Sequence, residues 1–317
     1  MEELTIEQAP SNGHKIAIVG SGPAGITVAI TLAQKGYQMT LFEMRDRIGG
    51  VLTYGIPEFR LPRTLIQHLE QKLLQLGVKI KHNTLVGPII TLDKLLFDGY
   101  DAIFIGTGVW NPKTLGIKGE TLGNALYAID YLKNPSTYEL GQKVCVIGAG
   151  NVAMDAARSA LYYGASEVTI CYRRGEESMT ATQVEIHEAK HEGVQFALYK
   201  SPVEITDHGI ILADTIEQPK EDGSISLELV PDSEKLFECD SIIIAISQVP
   251  QNNIVSTSTS LETRYGLLVT DACGHTTKEG VFACGDVVSG AKTVIDAVVA
   301  AKQVAQSIDD YCQNLKK

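Results

Sequence analysis

Two short glycine-rich segments carry the residue types and spacing that suit binding of a dinucleotide. The first is Gly20-Ser21-Gly22-Pro23-Ala24-Gly25, and the second is Gly148-Ala149-Gly150-Asn151-Val152-Ala153. The first glycine of such a loop permits a tight turn, the second leaves room for a phosphate, and the third residue lets a helix pack closely on a strand. A helix N-terminus adds partial positive charge for the pyrophosphate. Each segment alone is a weak indication, because a glycine-rich turn also occurs without a ligand.

Strand ends of opposite charge follow the two segments. The stretch "TLFEMR" at 40–45 places Glu43 about 20 residues after the first loop, whereas "TICYRR" at 169–174 ends on Arg173 and Arg174. A carboxylate here accepts hydrogen bonds from ribose hydroxyls and repels a 2′-phosphate, whereas guanidinium groups pair with that phosphate. We therefore expect a dinucleotide with a free ribose in the first site and NADP(H) in the second. A solvated strand end is the alternative interpretation of the arginines.

Each loop stands inside a complete strand–helix–strand pattern. Residues 15–43 and 143–174 both begin with a short apolar run, continue through the glycine loop into a helix with apolar spacing, and end in a second strand. The apolar stretches "YDAIFIGTG" at 100–108 and "CDSIIIAIS" at 239–247 predict one further buried strand for each copy. We interpret the turn-rich segments 133–141 and 247–260 as the crossings between the two copies.

Composition restricts the classes to which the chain can belong. Its 317 residues are 44% hydrophobic and 21% charged, an ordinary globular mixture with room for two domains. A net charge of -11 argues against a nucleic-acid partner or an anionic membrane surface. No apolar run approaches the ~18 residues of a membrane span. The polar start has no secretory signal, so we predict a cytoplasmic location.

The cysteines and histidines give no sign of a metal centre. Six cysteines, at 145, 171, 239, 273, 284 and 312, form no C-x-x-C pair, so a disulfide framework, a zinc ribbon and a cysteine-ligated cluster are not expected. We interpret Cys145, Cys171 and Cys239 as core residues. The stretch "HEAKH" at 187–191 matches the H-E-x-x-H zinc-protease pattern, but its polar flanks favour a charged helix face.

Taken together, the motifs resemble the two-dinucleotide-binding-domain flavoproteins, and most closely the FAD- and NADPH-binding part of the glutamate synthase small (beta) subunit. The resemblance runs in family order through "GSGPAG", "FEMRDRIGGVLTYGIPEFRLPR", "GTGVWNPKTLGIKGE", "GAGNVAMDAARSALYYGASEVTICYRR" and "GVFACGDVVSGAKTVIDAV". It implies an α/β fold of two Rossmann-like dinucleotide-binding domains, with the NADP domain inserted into the FAD domain. The expected bounds are 1–135 for the first part of the FAD domain, 136–250 for the NADP domain, and 251–317 for the C-terminal part of the FAD domain.

The same resemblance implies roles for individual residues. At the FAD site they are Gly20, Ser21, Gly22, Pro23, Ala24, Gly25, Glu43, Gly49, Gly50, Leu52, Arg60, Val86, Gly108, Gly285, Asp286 and Thr293. At the NADP(H) site they are Gly148, Gly150, Asn151, Val152, Arg173 and Arg174. Asp286 would bind the ribityl chain, and the helix beginning near Thr293 would point N–H groups at the flavin. The alternatives are an ordinary turn at 49–50, a helix cap at Asp286, and a rigid surface loop at 54–63.

The predicted function is an NADPH-dependent FAD oxidoreductase that passes hydride from NADPH to flavin and then electrons to an unidentified acceptor. Neither an acid nor a base is required for the first half-reaction, so no catalytic residue is predicted. The cysteine-rich region that binds iron–sulfur clusters in the glutamate synthase small subunit has no counterpart before residue 145, so we expect a partner protein or a small molecule to take the electrons.

Other functions and assemblies stay open at this stage. One alternative is a disulfide, ferredoxin or quinone reductase of thioredoxin-reductase-like plan, although the chain lacks the C-x-x-C that disulfide reduction needs. Another is a nucleotide-binding redox sensor without useful turnover. A homodimer and a subunit of a larger complex both fit the sequence.

Overall fold

The computed structural model describes residues 9–219 and 225–315, and the chain divides into two units. The first unit comprises the residues up to Thr53, Glu58–Asn111, and the residues from Gln248 onward. The second comprises Tyr54–Pro57 and Pro112–Ser247. The second unit is therefore inserted into the first, as the predicted fold class requires.

Helices and strands alternate through most of both units. Within the described residues the α-helices are α1 (Pro23–Gln34), α2 (Val51–Tyr54), α3 (Arg63–Gln75), α4 (Leu92–Phe97), α5 (Ala128–Tyr131), α6 (Asn151–Tyr162), α7 (Gln183–His191), α8 (Asp286–Ser289) and α9 (Val294–Asn314). Short 3-10 turns lie at Pro135–Thr137, Glu176–Ser178 and Val255–Thr257. Across these described parts of the chain, no helix combines the length and apolar character that crossing a bilayer requires.

The strands form two parallel sheets and several smaller antiparallel pairings. They are β1 (Lys15–Val19), β2 (Gln38–Phe42), β3 (Lys79–Lys81), β4 (Ala102–Ile105), β5 (Asn111–Pro112), β6 (Ala125–Tyr127), β7 (Lys143–Ile147), β8 (Glu167–Tyr172), β9 (Gln195–Leu198), β10 (Lys200–Thr206), β11 (Gly209–Pro219), β12 (Ile225–Leu229), β13 (Lys235–Glu238), β14 (Ser241–Ile244), β15 (Gln248–Val249), β16 (Thr263–Arg264), β17 (Leu267–Leu268) and β18 (Val281–Ala283).

A five-stranded parallel sheet in the order β18-β4-β1-β2-β3 forms the centre of the first unit. Its middle strands are apolar without alternation, because both faces are covered. One face packs against α1, α3 and α9 around buried residues such as Leu32 and Leu73. The other packs against α4 and the segment that precedes β18, including Leu95 and Leu261.

A second five-stranded parallel sheet, in the order β6-β14-β7-β8-β9, forms the centre of the second unit. The strand before the glycine loop, β1 or β7, is central in each sheet, and the strand that carries the charged tip, β2 or β8, lies beside it. The two tips therefore occupy corresponding positions in the two units. An antiparallel sheet of β10, β11, β12 and β13 completes the second unit, and the sequence patterns did not predict it.

The first domain boundary lies earlier in the structure than the sequence suggested. We expected the FAD domain to continue to residue 135, whereas the second unit already begins at Pro112. The reason is β6, which pairs with β14 in the second sheet with Ala125 opposite Ile242. The predicted first crossing at 133–141 therefore lies within the second unit, whereas the second predicted crossing begins at Ser247, where that unit ends.

Candidate functional sites

The acidic tip of the first sheet is hydrogen-bonded to the first glycine loop. Glu43 directly follows β2 and is only 5% exposed. Its carboxylate accepts a 3.0 Å hydrogen bond from the backbone N–H of Ser21, another from the Ser21 hydroxyl, and a 2.9 Å bond from the N–H of Arg45. Because a carboxylate offers about four acceptor positions, capacity remains for a ribose hydroxyl. The loop and the tip thus form one preorganised unit.

Packing requires glycine at two of the three glycine positions of the first loop, but not at the third. An added Cβ on Gly25 would lie 2.0 Å from the carbonyl oxygen of Gly20, and one on Gly20 would lie 2.7 Å from that of Gly106. Packing therefore excludes a side chain at both. An added Cβ on Gly22 would meet only the Gly106 oxygen, at 3.8 Å, and its φ of -69° suits any residue. Packing does not demand glycine there, which fits a surface that a phosphate approaches.

The N-terminus of α1 follows this open position. The helix starts at Pro23, with Ala24 in its first turn, and within the described residues no side chain caps it. Its first N–H groups have no partner within the helix and suit an anion such as a pyrophosphate. The residues present therefore fit the dinucleotide that the sequence predicts.

Two other predicted segments reach the first loop. The backbone N–H of Gly49 donates to the carbonyl oxygen of Ser21 at 2.9 Å, and an added Cβ on Gly50 would lie 2.8 Å from the Cα of Gly22. From the other end of the chain, an added Cβ on Gly285 would lie 3.4 Å from the Cβ of Ala24. All three glycines have positive φ. The structure thus gathers residues 20–25, 49–50 and 285 at one place in the first unit.

Asp286, which follows Gly285, is a partly buried carboxyl group at the start of α8. Burial raises its pKa to about 6. The negative charge of Asp296 also raises the pKa, whereas the hydrogen bond from the backbone N–H of Lys292 lowers it. That N–H lies 3.3 Å from the Asp286 carboxylate. The side chain lines a cavity that Cys284 and Lys292 also border. Burial therefore favours the protonated form of this carboxyl group.

Helix α9 begins one residue after the predicted start, with Thr293 as its N-cap. The Thr293 hydroxyl accepts a 3.2 Å hydrogen bond from the N–H of Asp296, and the Asp296 carboxylate accepts one of the same length from the N–H of Thr293. This capping box occupies two N–H groups of the helix start. The N–H groups of Val294 and Ile295 are the ones that remain for a ligand.

The structure places the remaining residues predicted for the FAD site at four different positions of the chain. Val86 is buried, and the segment before it is fixed by a 2.8 Å hydrogen bond from the N–H of Thr84 to the carbonyl oxygen of Glu43. Gly108, with φ +68°, follows β4. Leu52 lies on α2 and packs against the core. Arg60 is half-buried in the loop between α2 and α3.

The second glycine loop repeats the first with one change. Gly148 has φ +130°, and an added Cβ would lie 2.4 Å from the carbonyl oxygen of Ala245. An added Cβ on Gly150 would meet the hydroxyl of Thr180 at 3.3 Å, a side chain that can move. The third position is Ala153, fully buried in the core. Here too the second glycine is the one that packing constrains least.

Asn151 and Val152 start α6, which has no side-chain cap in the described residues. The Asn151 side-chain oxygen accepts a 2.9 Å hydrogen bond from the N–H of Thr182 and so links α6 to the start of α7. Val152 is half-buried and packs against the core of the second unit. The structure gives Asn151 a bracing contact that the sequence did not predict.

The arginines at the second tip are fixed by residues that sequence analysis missed. The Thr215 hydroxyl donates a 2.7 Å hydrogen bond to the carbonyl oxygen of Arg173, and the N–H of Tyr199 donates to that of Arg174 at 3.4 Å. The Arg174 guanidinium also pairs with Glu217 at 3.9 Å. Arg173 itself is exposed. No sequence signal links these positions, because the partners lie on β11 and beside β10, far along the chain.

The three cysteines interpreted as core residues lie together in the second unit. Cys145 and Cys171 have their Sγ atoms 3.3 Å apart, and both are almost fully buried with Cys239 in one cluster. The neighbouring thiols of Cys171 and Cys239, together with burial, hold the pKa of Cys145 well above its usual value. The interaction with Cys145 lowers the pKa of Cys239, but all three side chains lie in the hydrophobic core of the second unit, where we interpret them as packing residues.

The "HEAKH" stretch lies on α7, and its glutamate, Glu188, forms an ion pair with Arg158. Arg158 is buried and contacts Glu185, Glu188 and Glu192, with a 2.9 Å hydrogen bond from its Nε to Glu192. Glu188, the second residue of the "HEAKH" stretch, thereby helps attach α7 to α6. In the parts of the chain that the structure describes, no group of three or more metal-ligating side chains is found.

Comparison with known proteins decides the family. The sequence profile of the pyridine nucleotide-disulphide oxidoreductases matches residues 14–305. The chain belongs to that family. Its relatives in this oxidoreductase family include the NADP(+)-dependent formate dehydrogenase subunit beta of Moorella thermoacetica, 37% identical over 98% of this chain and 45% of that protein. The glutamate synthase [NADPH] small chain of Halomonas elongata is 34% identical over 94% of this chain and 68% of that protein.

A solved structure shows the same fold. The thioredoxin reductase of T. acidophilum superposes with a TM-score of 0.72 over 95% of this chain and 98% of that one, at 22% identity. The chain spans less than half of the formate dehydrogenase subunit and about two thirds of the glutamate synthase small chain.

Membership in the pyridine nucleotide-disulphide oxidoreductase family confirms several predictions. These are the resemblance to the glutamate synthase small chain, the α/β fold with two dinucleotide-binding domains, and the enzyme class of NADPH-dependent FAD oxidoreductase. FAD and NADP(H) are the cofactors of this class.

Proposed function

We propose that FAD occupies the first unit, that NADPH occupies the second, and that electrons pass from NADPH through FAD to a partner protein. The observation that carries this proposal is the reversal of charge at corresponding positions of two sheets of the same order. Glu43 stands after β2, and Arg173 and Arg174 stand after β8. An acid suits a free ribose, and guanidinium groups suit a 2′-phosphate.

At the FAD site, the proposal assigns the gathered segments to the parts of the cofactor. Residues 20–25 and the start of α1 take the pyrophosphate, and Glu43 takes the adenosine ribose. The segment that contains Val86 lies beside Glu43 and takes the adenine. Gly49, Gly50, Leu52, Arg60, Gly108, Gly285, Asp286 and Thr293 complete the site. The capping box at Thr293 uses two of the N–H groups at the start of α9, so only those of Val294 and Ile295 remain to support the flavin.

At the NADPH site, the proposal assigns Gly148, Gly150, Asn151 and Val152 to the pyrophosphate, and Arg173 with Arg174 to the 2′-phosphate. The hydrogen bonds from Thr215 and Tyr199 to the arginine carbonyl groups support this assignment, because they hold the backbone at the tip in one arrangement. Recognition of a phosphate by two guanidinium groups gains from such preorganisation.

The two bound cofactors supply hydride transfer from nicotinamide C4 to flavin N5. The chain contributes positioning and electrostatics, because no side-chain acid or base is needed for that transfer. Glu43 and Ser21 hold the adenosine end of one site, while Arg173 and Arg174 select the phosphorylated nucleotide at the other. Selection between NADPH and NADH therefore depends on the chain's own charged groups.

A protein acceptor is favoured over a small molecule because several relatives are named as parts of assemblies. Examples are a formate dehydrogenase subunit beta and a glutamate synthase small chain. Disulfide reduction by Cys145, Cys171 and Cys239 is disfavoured, since these side chains are buried in the core of the second unit.

Reconstitution tests the proposal. Protein stripped of flavin is offered FAD or FMN, then mixed anaerobically with NADPH, and finally given thioredoxin, ferredoxin, a quinone or ferricyanide. We expect tight binding of FAD but not of FMN, which lacks the adenosine that Glu43 holds, and bleaching of bound FAD by NADPH. Equal uptake of FMN, or FAD that stays oxidised under NADPH, would overturn the assignment. A sensor without useful turnover would bleach but pass electrons to none of the acceptors.

A further inference from the structure

The second tip contains acidic residues beside the arginines. Glu217, on β11, places its carboxylate 3.9 Å from Nε of Arg174. This distance is an ion pair at the outer limit of contact and not a hydrogen bond. Glu217 Oε1 is buried and, within the described residues, accepts no hydrogen bond. Arg174 is therefore the cation that compensates a carboxylate oxygen removed from water.

The strand register explains why this carboxylate faces the tip. Residues two apart in a strand lie on the same face, and Thr215 on the same strand already donates its hydroxyl to the carbonyl oxygen of Arg173. Glu217 consequently continues the row of side chains that β11 presents to the end of β8. The acidic group is built into the second unit beside the arginine pair and is not a mobile surface residue that happens to lie nearby.

Tyr199 lies close to the carboxylates of both Glu177 and Glu217 at this tip. The charge of Glu177, with burial and the charge of Glu217, raises the pKa of its phenol. The backbone of Tyr199 links Arg174 to Thr215. Its N–H donates to the carbonyl oxygen of Arg174, and its carbonyl oxygen accepts a 3.0 Å hydrogen bond from the N–H of Thr215. Tyr199 also has φ +54°, a conformation that few residues other than glycine adopt. The tip is thus a compact group of mixed charge.

We infer that Glu217 is a specificity-determining residue that competes with the 2′-phosphate of NADP(H) for Arg174. The inference rests on the proposed function, since it requires that this arginine binds the phosphate. A guanidinium that turns toward the phosphate leaves the half-buried carboxylate of Glu217 without its counter-charge, and the like charges of carboxylate and phosphate repel each other. Glu217 therefore weakens binding of the phosphorylated nucleotide and leaves NADH unaffected. The result is easier release of NADP⁺.

The Glu217→Gln variant tests this inference, because it keeps the shape of the side chain and removes its charge. Binding of 2′,5′-ADP and 5′-AMP is measured by calorimetry on the FAD-loaded protein, so that no redox chemistry is involved. We expect 2′,5′-ADP to bind about fivefold more tightly than to the wild type, equivalent to about 1 kcal/mol, with 5′-AMP unchanged. The KM for NADPH should fall by a similar factor. Glu228→Gln, on the exposed neighbouring strand β12, is the matched control.

Three outcomes decide the matter. Weaker binding of 2′,5′-ADP by the Gln variant would overturn the inference and make Glu217 a residue that orients Arg174. Unchanged binding would overturn it as well. In the Arg174→Ala background the Glu217→Gln change should have no effect, since the competition is for that guanidinium. If Arg174→Ala and Arg173→Ala both leave 2′,5′-ADP binding intact, the NADPH assignment itself fails, which is a separate result.

Discussion

The Glu43 carboxylate accepts a 3.0 Å hydrogen bond from the backbone N–H of Ser21, which ties the charged tip of one strand to the glycine loop after its neighbour. Because the same carboxylate is assigned to the ribose of FAD, Glu43→Gln should weaken FAD binding about 10–100-fold, the effect of losing charge-assisted hydrogen bonds. Fluorescence titration of flavin-free protein measures it. Ser21→Ala, which keeps the backbone bond, should lose less. Equal losses would contradict the ribose assignment.

Gly22 and Gly25 should separate binding from folding. Gly25→Ala forces a Cβ to 2.0 Å from the carbonyl oxygen of Gly20, so the free energy of unfolding should fall by about 3 kcal/mol or more. Gly22→Ala meets no such contact and should change stability by less than about 1 kcal/mol. Gly22→Ala should nevertheless reduce the affinity for FAD by about tenfold or more, because the added methyl group fills the space that the phosphate needs. Urea denaturation and flavin titration distinguish the two effects.

Removing either arginine at the second tip should change nucleotide preference and little else. Arg173→Ala and Arg174→Ala should each raise the KM for NADPH about 10–100-fold, as expected for lost phosphate contacts, and leave the KM for NADH within about twofold. Steady-state rates with ferricyanide as acceptor report both values. Lys190→Ala, which removes a cation paired with Glu176 on the same unit, is the control. A parallel loss with NADH would point to general damage of the unit.

Asp286 should make stability depend on pH. Burial raises its pKa to about 6 in the folded protein, above the usual value of about 3.9. The folded state binds this proton more tightly, so the stabilisation is complete below about pH 4 and is lost as the pH rises through about 6. From about pH 5 to about pH 7.5, flavin-free wild type should lose about 1 kcal/mol relative to Asp286→Asn after allowance for partial solvent exposure. Urea unfolding at the two pH values measures the difference. If the free energy of unfolding changed by the same amount in the wild type and in Asp286→Asn, this titration would be excluded.

Local sequence patterns were sufficient for the central strands of both parallel sheets. The strand, loop and helix around Gly20 and around Gly148 are each encoded within about 30 residues, and the apolar runs at β4 and β14 fit strands buried on both faces. The short strand β6 was not predictable in the same way. Its three residues are half-buried and are assigned to the second unit by pairing with β14, a contact across more than a hundred residues that no local pattern shows.

The contacts around the second tip illustrate the same limit. Arg173 and Arg174 were found from their position after a strand, whereas Thr215 and Glu217 lie in an ordinary alternating strand. Only the fold of the antiparallel sheet brings β11 against the end of β8. Similarly, Cys145 and Cys171 look isolated in sequence, yet adjacent parallel strands place their sulfur atoms in contact. Residue type predicted the chemistry of the tip, but tertiary pairing determines which groups modulate it.

The most direct test of the central claim is anaerobic rapid mixing of the FAD-loaded protein with NADPH or NADH at equal, subsaturating concentrations. The quantity measured is the rate at which the yellow flavin absorbance disappears. Since each arginine–phosphate contact is worth at least about tenfold in affinity, the account predicts that NADPH bleaches the flavin at least about tenfold faster than NADH. Equal rates with the two nucleotides, or a flavin that neither of them reduces, would contradict it.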